Sequence, residues 1–179
     1  MIDKLINPKT NTYFEFKKLI NSNIFPWQWN SISTRLDPKI KQENSETFHN
    51  ISFYTHPFLL RPEGNPKRFP TISSPYVDGA IEVFSEILDY NNVQVNSFLR
   101  MCVNCVHPFD EIKNTIPHVD HPFDHKNILV YLTNAGGKTF VEDSYYDPKE
   151  DDVVVFGGRV HLHQTPAKER RIVLVATFL

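Results

Sequence analysis

Two short runs in the C-terminal third carry side chains able to hold a transition metal: Pro117-His118-Val119-Asp120 and His161-Leu162-His163. On an extended chain, residues i and i+2 project to the same face, so the His118 imidazole and the Asp120 carboxylate can reach one ion. A histidine from the second run completes a set of two imidazoles and one carboxylate. Such a set covers one face of the metal and leaves positions free for a directly bound co-substrate and dioxygen, which suits non-haem Fe(II). A structural zinc is normally closed by four protein ligands. His161 and His163 share a strand face, so alternation leaves both as candidates. A second signal follows them. Arg170-Arg171 opens the apolar run 172–178, and an arginine buried there needs an anionic partner, its planar fork matching a carboxylate bidentately. A dicarboxylate chelating the metal at one end would be gripped at the other.

Other candidates carry simpler readings. His121, Asp124 and His125 fall in a Pro-containing segment and read as a solvated loop near the site mouth; His107, beside Pro108, reads as a surface or turn residue. Cys102 and Cys105 would face opposite ways on a strand, which rules out chelation and pairing and leaves two core thiols. Arg100 and Asn104 share the face of Cys102, and Arg100 reads either as a pocket residue or as half of a surface ion pair. Trp27, Trp29 and the N-terminal phenylalanines read as core packing.

The elements that must position these residues follow from periodicity. Beyond residue 93 the chain reads as strands at 93–106, 127–132, 138–142, 153–156, 160–164 and 171–178, joined by Gly136-Gly137, Asp147-Pro148 and Gly157-Gly158 turns. Before it, Ala80, Ile81, Phe84, Ile87 and Leu88 repeat with helical spacing over 76–90, with Ser73 or Ser74 placed to cap the start. A short helix is expected over 13–20, a turn at Phe25-Pro26-Trp27, a strand near 51–55 and an irregular Pro-rich loop over 61–75. Helices followed by antiparallel strands give an α+β protein with a barrel or jelly roll.

Bulk properties narrow the class. The 179 residues fit one domain, 1–92 supporting and 93–179 forming the catalytic core. With 13% aromatics, 14 of them Phe, a β-rich core is expected. A formal charge of −2 lacks the basic footprint of a nucleic-acid binder. Two cysteines are too few for a disulfide framework, and no leader or bilayer-spanning run is visible, so a cytoplasmic protein without membrane contact is expected.

The segment 117–179, with the strand around 100–106, resembles the prolyl 4-hydroxylase-like branch of the 2-oxoglutarate- and iron(II)-dependent dioxygenases. His118-Val119-Asp120 looks like the family's His-x-Asp. Tyr131-Leu132-Thr133-Asn134 with Gly136-Gly137-Lys138-Thr139 looks like its "YLN…GGxT" strand and turn, and 152–156 like the strand before the distal histidine. His161/His163, Pro166 and Arg171-Ile172-Val173-Leu174 follow in order. The resemblance implies a double-stranded β-helix (a jelly-roll, cupin-like barrel) with N-terminal helices packed on one sheet and iron at its open end. It implies Fe(II) and 2-oxoglutarate, with ascorbate as an optional addition, and O2 as the oxidant. The metal ligands would be His118, Asp120 and His161, the last favoured over His163 by its longer spacing to Arg171. The C5 carboxylate of 2-oxoglutarate would pair with Arg171 (Arg170 as the fallback). His163 would face the co-substrate, Thr139 would touch it, and Tyr131 reads equally as carboxylate donor or core aromatic. The implied reaction hydroxylates a C–H bond of a small molecule or a peptidyl residue such as proline, with succinate and CO2 released. The alternative is a non-catalytic or 2-oxoglutarate-independent metal-binding barrel. The chain is short for the family, leaving little length for substrate loops, and 61–75 and 121–126 are the candidate substrate contacts.

Overall fold

Strand alternation sorts nearly every residue of the last strand between two environments. In the computed structural model, which describes residues 1–32, 48–64 and 69–179, that strand is β13 (Arg171–Phe178). Ile172, Leu174, Ala176 and Phe178 face one way into a core shared with the helices, while Val173 and Val175 face the other way into a smaller cluster. β6 (Phe98–Val106) repeats the pattern: Met101, Val103 and Cys105 join the helix side, and Cys102 the inner side. The two thiols are buried, unpaired and on opposite faces.

Among the described residues these strands belong to one antiparallel sheet. Its order is β1 (Asp3–Leu5), β11 (Val153–Gly157), β8 (Lys126–Tyr131), β13, β6, β4 (Phe53–Leu60) and β2 (Gln28–Asn30), with β5 (Thr71–Ile72) added to β4. A smaller sheet holds β10 (Ser144–Tyr146), β9 (Thr139–Val141) and β12 (His161–His163). Bridges Asn114↔Gln164 and His118↔His161 continue it to β7 (Asn114–Thr115), which pairs in parallel with β3 (Phe48–His49). From β6 onward the chain crosses between the two sheets repeatedly, and β12 returns to the small sheet before β13 closes the large one. This winding is a double-stranded β-helix, a jelly roll with the functional residues on its inner walls.

Two helices cover the outer face of the large sheet. α1 (Asn11–Ile20) starts at Thr10, whose hydroxyl accepts from the Tyr13 N–H at 3.2 Å, a cap worth about 1 kcal/mol. α2 (Val77–Tyr90) buries Val77, Ala80, Val83, Phe84, Ile87 and Leu88, large apolar members of that stripe contributing roughly 1.5–3 kcal/mol each. Gly79 lets the helices approach, since a Cβ there would stand 3.0 Å from the Phe16 ring.

Several expectations need correction. Ile81 is exposed rather than part of the buried stripe. α2 has Tyr76 at its cap position with no side-chain cap bond of its own; Ser74 Oγ, two residues earlier, accepts from the Tyr76 N–H at 3.1 Å and also bonds His56 Nε2 at 2.7 Å. β6 begins at Phe98, not 93: the Val93 N–H closes the end of α2 on the Leu88 carbonyl and the Asn96 N–H bonds Leu179 O. Trp29 is exposed on the edge strand β2, whereas Trp27 packs against the core beside Phe25. Residues 65–68 of the Pro-rich loop lie outside the described residues; flanking them are a 3-10 turn at Pro62–Gly64 and β5.

Candidate metal centre

The His118↔His161 bridge brings together the two runs of candidate metal ligands. Each residue's N–H donates to the other's carbonyl, at 3.0 and 2.9 Å, and the imidazole centroids lie 4.4 Å apart. His118 therefore sits at an isolated bridge rather than in the regular strand expected of its run. Both rings are oriented alike: Nδ1 of His118 donates to the Ile116 carbonyl at 3.1 Å, and Nδ1 of His161 to the Arg159 carbonyl at 2.9 Å. That tautomer leaves each Nε2 as a lone-pair donor, the state a metal requires. Asp120 completes the group, with Oδ2 at 3.4 Å from His161 Nε2. One ligand atom from each of His118, Asp120 and His161 lies within 4.8 Å of the others. His163 falls outside this group.

Electrostatics favours the metal-ready forms of Asp120 and His118. Burial alone would raise the Asp120 carboxyl, but the Arg100 guanidinium, with His161, His118 and Arg61, holds it well below the usual carboxylate range. Burial, then the neighbouring His161, pushes His118 down to about 4, so it is neutral at physiological pH. Asp120 Oδ1 accepts from Arg61 Nη2 and Arg100 Nη1, each at 2.9 Å, and its carbonyl accepts from Arg61 Nη1 at 2.8 Å. One carboxylate oxygen is thus occupied by arginines and the other faces the histidines.

A cavity of about 400 Å³ runs from this triad to Arg171, with Thr139 and His163 also in its walls. Arg171 is buried and donates from Nε to the Gly137 carbonyl at 3.2 Å and from Nη2 to Thr139 Oγ1 at 2.9 Å. Its guanidinium lies 5.4 Å from the Tyr131 ring centre, and the Tyr131 hydroxyl shares a 2.8 Å hydrogen bond with Thr139. Among the described residues no carboxylate forms an ion pair with Arg171. Burial lowers its pKa, the direction expected for a cation without a counter-ion. His163, with Nδ1 on the Gln164 carbonyl, is pushed down to about 3 by burial and then by Arg171, so it faces the cavity neutral. Gly137, at φ +80, allows this packing: a Cβ there would meet the Gln164 carbonyl at 2.7 Å and Arg171 Cδ at 3.0 Å.

Tyr131 does not line the cavity; it acts beneath Arg171 through Thr139. Arg170 is exposed, and its carbonyl accepts from the Thr133 hydroxyl. His121 and His125 are buried, against the expectation of a solvated loop, while Asp124 is exposed. His121 bonds Glu63 through Nδ1 and Thr177 through Nε2, and the two rings meet edge-on at 4.7 Å. Burial is possible because the small Gly158 faces the His125 ring. Arg100 lines the cavity in an ion pair with Asp120 that is not a surface one. Arg61 opens the 61–75 segment expected as a candidate substrate contact, but its ion pair with Asp120 was not foreseen. Nothing local marks it, and its role follows from β4 lying beside β6, which carries Arg100.

No family model matches the chain, and no curated protein matches it. Solved structures do. An oxidoreductase of the 2OG-Fe(II) oxygenase family from Burkholderia pseudomallei superposes with a TM-score of 0.57 at 12% identity, over 86% of this chain and 72% of that one. A prolyl hydroxylase from Trichoplax adhaerens, solved with a hypoxia inducible factor peptide fragment, gives 0.46 at 12% identity over 97% and 94%. A viral collagen prolyl hydroxylase from Paramecium Bursaria Chlorella virus-1 gives 0.46 at 14% over 70% and 78%. The first of these shows that the chain shares the fold of that oxygenase. Among the described residues no helix is long and apolar enough to cross a membrane.

Proposed function

We propose that this chain is an Fe(II)- and 2-oxoglutarate-dependent dioxygenase that hydroxylates a C–H bond of its substrate. In the balanced reaction, one oxygen atom of O2 enters the substrate as hydroxyl and the other enters succinate, as 2-oxoglutarate loses CO2. The observation that carries this reading is Arg171: a buried cation without an acidic partner among the described residues, in the same cavity as two imidazoles and a carboxylate. A barrel that bound metal alone would have no use for that cation, and leaving a charge buried and unpaired costs several kcal/mol.

His118, Asp120 and His161 would hold the iron, whose bound form supplies dioxygen activation. The remaining roles belong to side chains. Arg171 receives the C5 carboxylate, with Thr139 and the Gly137 carbonyl fixing the plane of its guanidinium. Tyr131 orients Thr139. His163, neutral and half-buried, fills the wall between the two anchor points without adding charge. The apolar inner faces of Val173 and Val175 exclude water from the chelated end. The substrate, a small molecule or a peptidyl residue such as proline, enters past Val119.

Anaerobic titration of the purified protein with Fe(II) and 2-oxoglutarate tests this. A weak visible charge-transfer band that needs both components, and that disappears in His118→Ala and Asp120→Ala, is expected. Succinate should form once air is admitted. Absence of band and succinate in iron-loaded protein would leave a metal-binding barrel that does not use 2-oxoglutarate.

A further inference from the structure

Arg61 and Arg100 place two guanidiniums on one carboxylate oxygen. The pair is not neutral: Asp120 carries one negative charge against two positive ones. Of the side chains lining the cavity, the charged ones are Arg61, Arg100, Arg171 and Asp120. Adding Fe(II) and the 2-oxoglutarate dianion leaves that sum unchanged, because a dication and a dianion cancel. The loaded site therefore keeps two positive charges in excess. Glu63, close to Arg61 in sequence, is turned to His121 and does not line the cavity, though its charge still acts on Arg61 and partly offsets it.

Both arginines have donors to spare. A guanidinium carries five N–H groups in a fixed fork. Among the described residues Arg100 uses Nη1 on Asp120, and Arg61 uses Nη1 and Nη2 on the same residue. Asn104, on the same strand face as Arg100, has its Oδ1 taken by the Thr55 hydroxyl at 2.7 Å, so its amide nitrogen is a further donor on the cavity wall. Apolar Ile51, Phe53 and Val119 also line the cavity. Metal ligation through Oδ2 draws negative charge from the oxygen the arginines share, which strengthens their demand for a second anion. A forked cation pair in a half-enclosed cavity selects a planar oxyanion.

We infer that Arg61, Arg100 and Asn104 form a carboxylate subsite for the primary substrate, distinct from the Arg171 site. The inference rests on the oxygenase reading for its biological meaning. The substrate is then a carboxylic acid with an apolar skeleton, the carboxylate held at the arginines and a C–H bond presented to the metal. The acid is either free or borne by a peptide.

Titration calorimetry on metal-loaded protein, saturated with 2-oxoglutarate under anaerobic conditions, tests this without turnover. The probes are matched acid and amide pairs: acetate to octanoate and benzoate against their amides, and a blocked aspartyl tripeptide against its asparaginyl twin. At least one acid should bind tenfold or more tightly than its amide. The preference should vanish in Arg61→Gln and Arg100→Gln and persist in Arg171→Met. Free acids succeeding alone, or the aspartyl peptide succeeding alone, identifies the source, and either supports the subsite. No acid outbinding its amide overturns the inference, as does a preference lost in Arg171→Met but kept in both arginine-to-glutamine variants. If Arg100→Gln fails to fold by circular dichroism, Arg61→Gln decides, since the Arg61 side chain is 39% exposed. A missing charge-transfer band and missing succinate would refute the oxygenase reading separately, leaving the calorimetric comparison intact.

Discussion

Arg171→Met removes the buried guanidinium while keeping an unbranched side chain of similar length. In the ligand-free protein the arginine makes two hydrogen bonds, to the Gly137 carbonyl and Thr139 Oγ1. Bonds from a charged donor are worth about 1.5–3 kcal/mol each. Against them stands the cost of keeping an ion in a site where it is 5% exposed, several kcal/mol even after relaxation. The two sides nearly cancel. Ligand-free Arg171→Met is expected within about 1 kcal/mol of the parent, a shift of no more than roughly 2–4 °C in Tm for a chain of this length. With 2-oxoglutarate the balance changes. At a hundredfold excess over Kd the ligand stabilises the parent by about 2.7 kcal/mol. Losing one partner of a buried charge pair costs about 2–5 kcal/mol of binding, so Kd rises by at least roughly 30-fold and the same ligand concentration stabilises the variant by less than about 1 kcal/mol. Anaerobic thermal unfolding with Fe(II), with and without 2-oxoglutarate, reads both numbers. A ligand-free variant destabilised by more than about 3 kcal/mol would show that the arginine is paired for structural reasons. An undiminished 2-oxoglutarate shift would show that the co-substrate is gripped elsewhere.

Gly137→Ala, at φ +80 with its Cβ 2.7 Å from the Gln164 carbonyl, should cost about 1–3 kcal/mol in urea unfolding and weaken 2-oxoglutarate by displacing Arg171; an unchanged midpoint would contradict the packing. Gly158→Ala sets a methyl 2.5 Å from the His125 ring, so a loss of roughly 1–3 kcal/mol is expected in the same assay. His161→Gln should abolish Fe(II) binding, while His163→Gln retains it within about tenfold, the opposite order reassigning the ligand. Asp151, despite burial that favours its neutral form, is held below its ordinary value of 3.8 by Lys17, Tyr13 and Lys9. A depressed carboxyl stabilises the fold above that value and loses its contribution as pH falls through the folded pKa. Asp151→Asn should therefore flatten the acid limb of the stability curve below about pH 4 and leave its slope above pH 6 unchanged.

Much of the core was legible because alternation is a local signal. The strand at 171–178 and the Gly136-Gly137 turn could be read directly, since period and turn chemistry need no partner. The grouping of His118 with Asp120 rested on their spacing alone, and it emerges in the structure through a bridge to His161 instead of a regular strand. Alternation could not separate His161 from His163, which share a face; only the spacing to Arg171 in the family resemblance favoured His161, and in the structure the register of β12 against β9 and the 114–118 segment sets them apart. The meeting of Arg61 with Asp120 was hidden for the same reason, since it depends on β4 lying beside β6; only the 61–75 segment that Arg61 opens was legible, as a candidate substrate contact. His121 and His125 misled because loop composition speaks for exposure, whereas Gly158, far along the chain, provides the space that buries His125, and Glu63 and Thr177 hold His121. Trp29 misled in the opposite sense, an apolar ring on an edge strand with nothing described beyond it.

The reciprocal backbone hydrogen bonds between His118 and His161 have a kinetic consequence. They set the separation of two ligands, far apart in sequence, by main-chain geometry rather than by an ion. The chelate is assembled during folding, so the entropy of closing that long loop is lost before any ion arrives. Reconstitution is then a simple second-order encounter, linear in ion concentration and free of a refolding lag. If the triad holds the ion, chelator treatment followed by reloading is expected to restore binding without unfolding, which circular dichroism during the cycle checks.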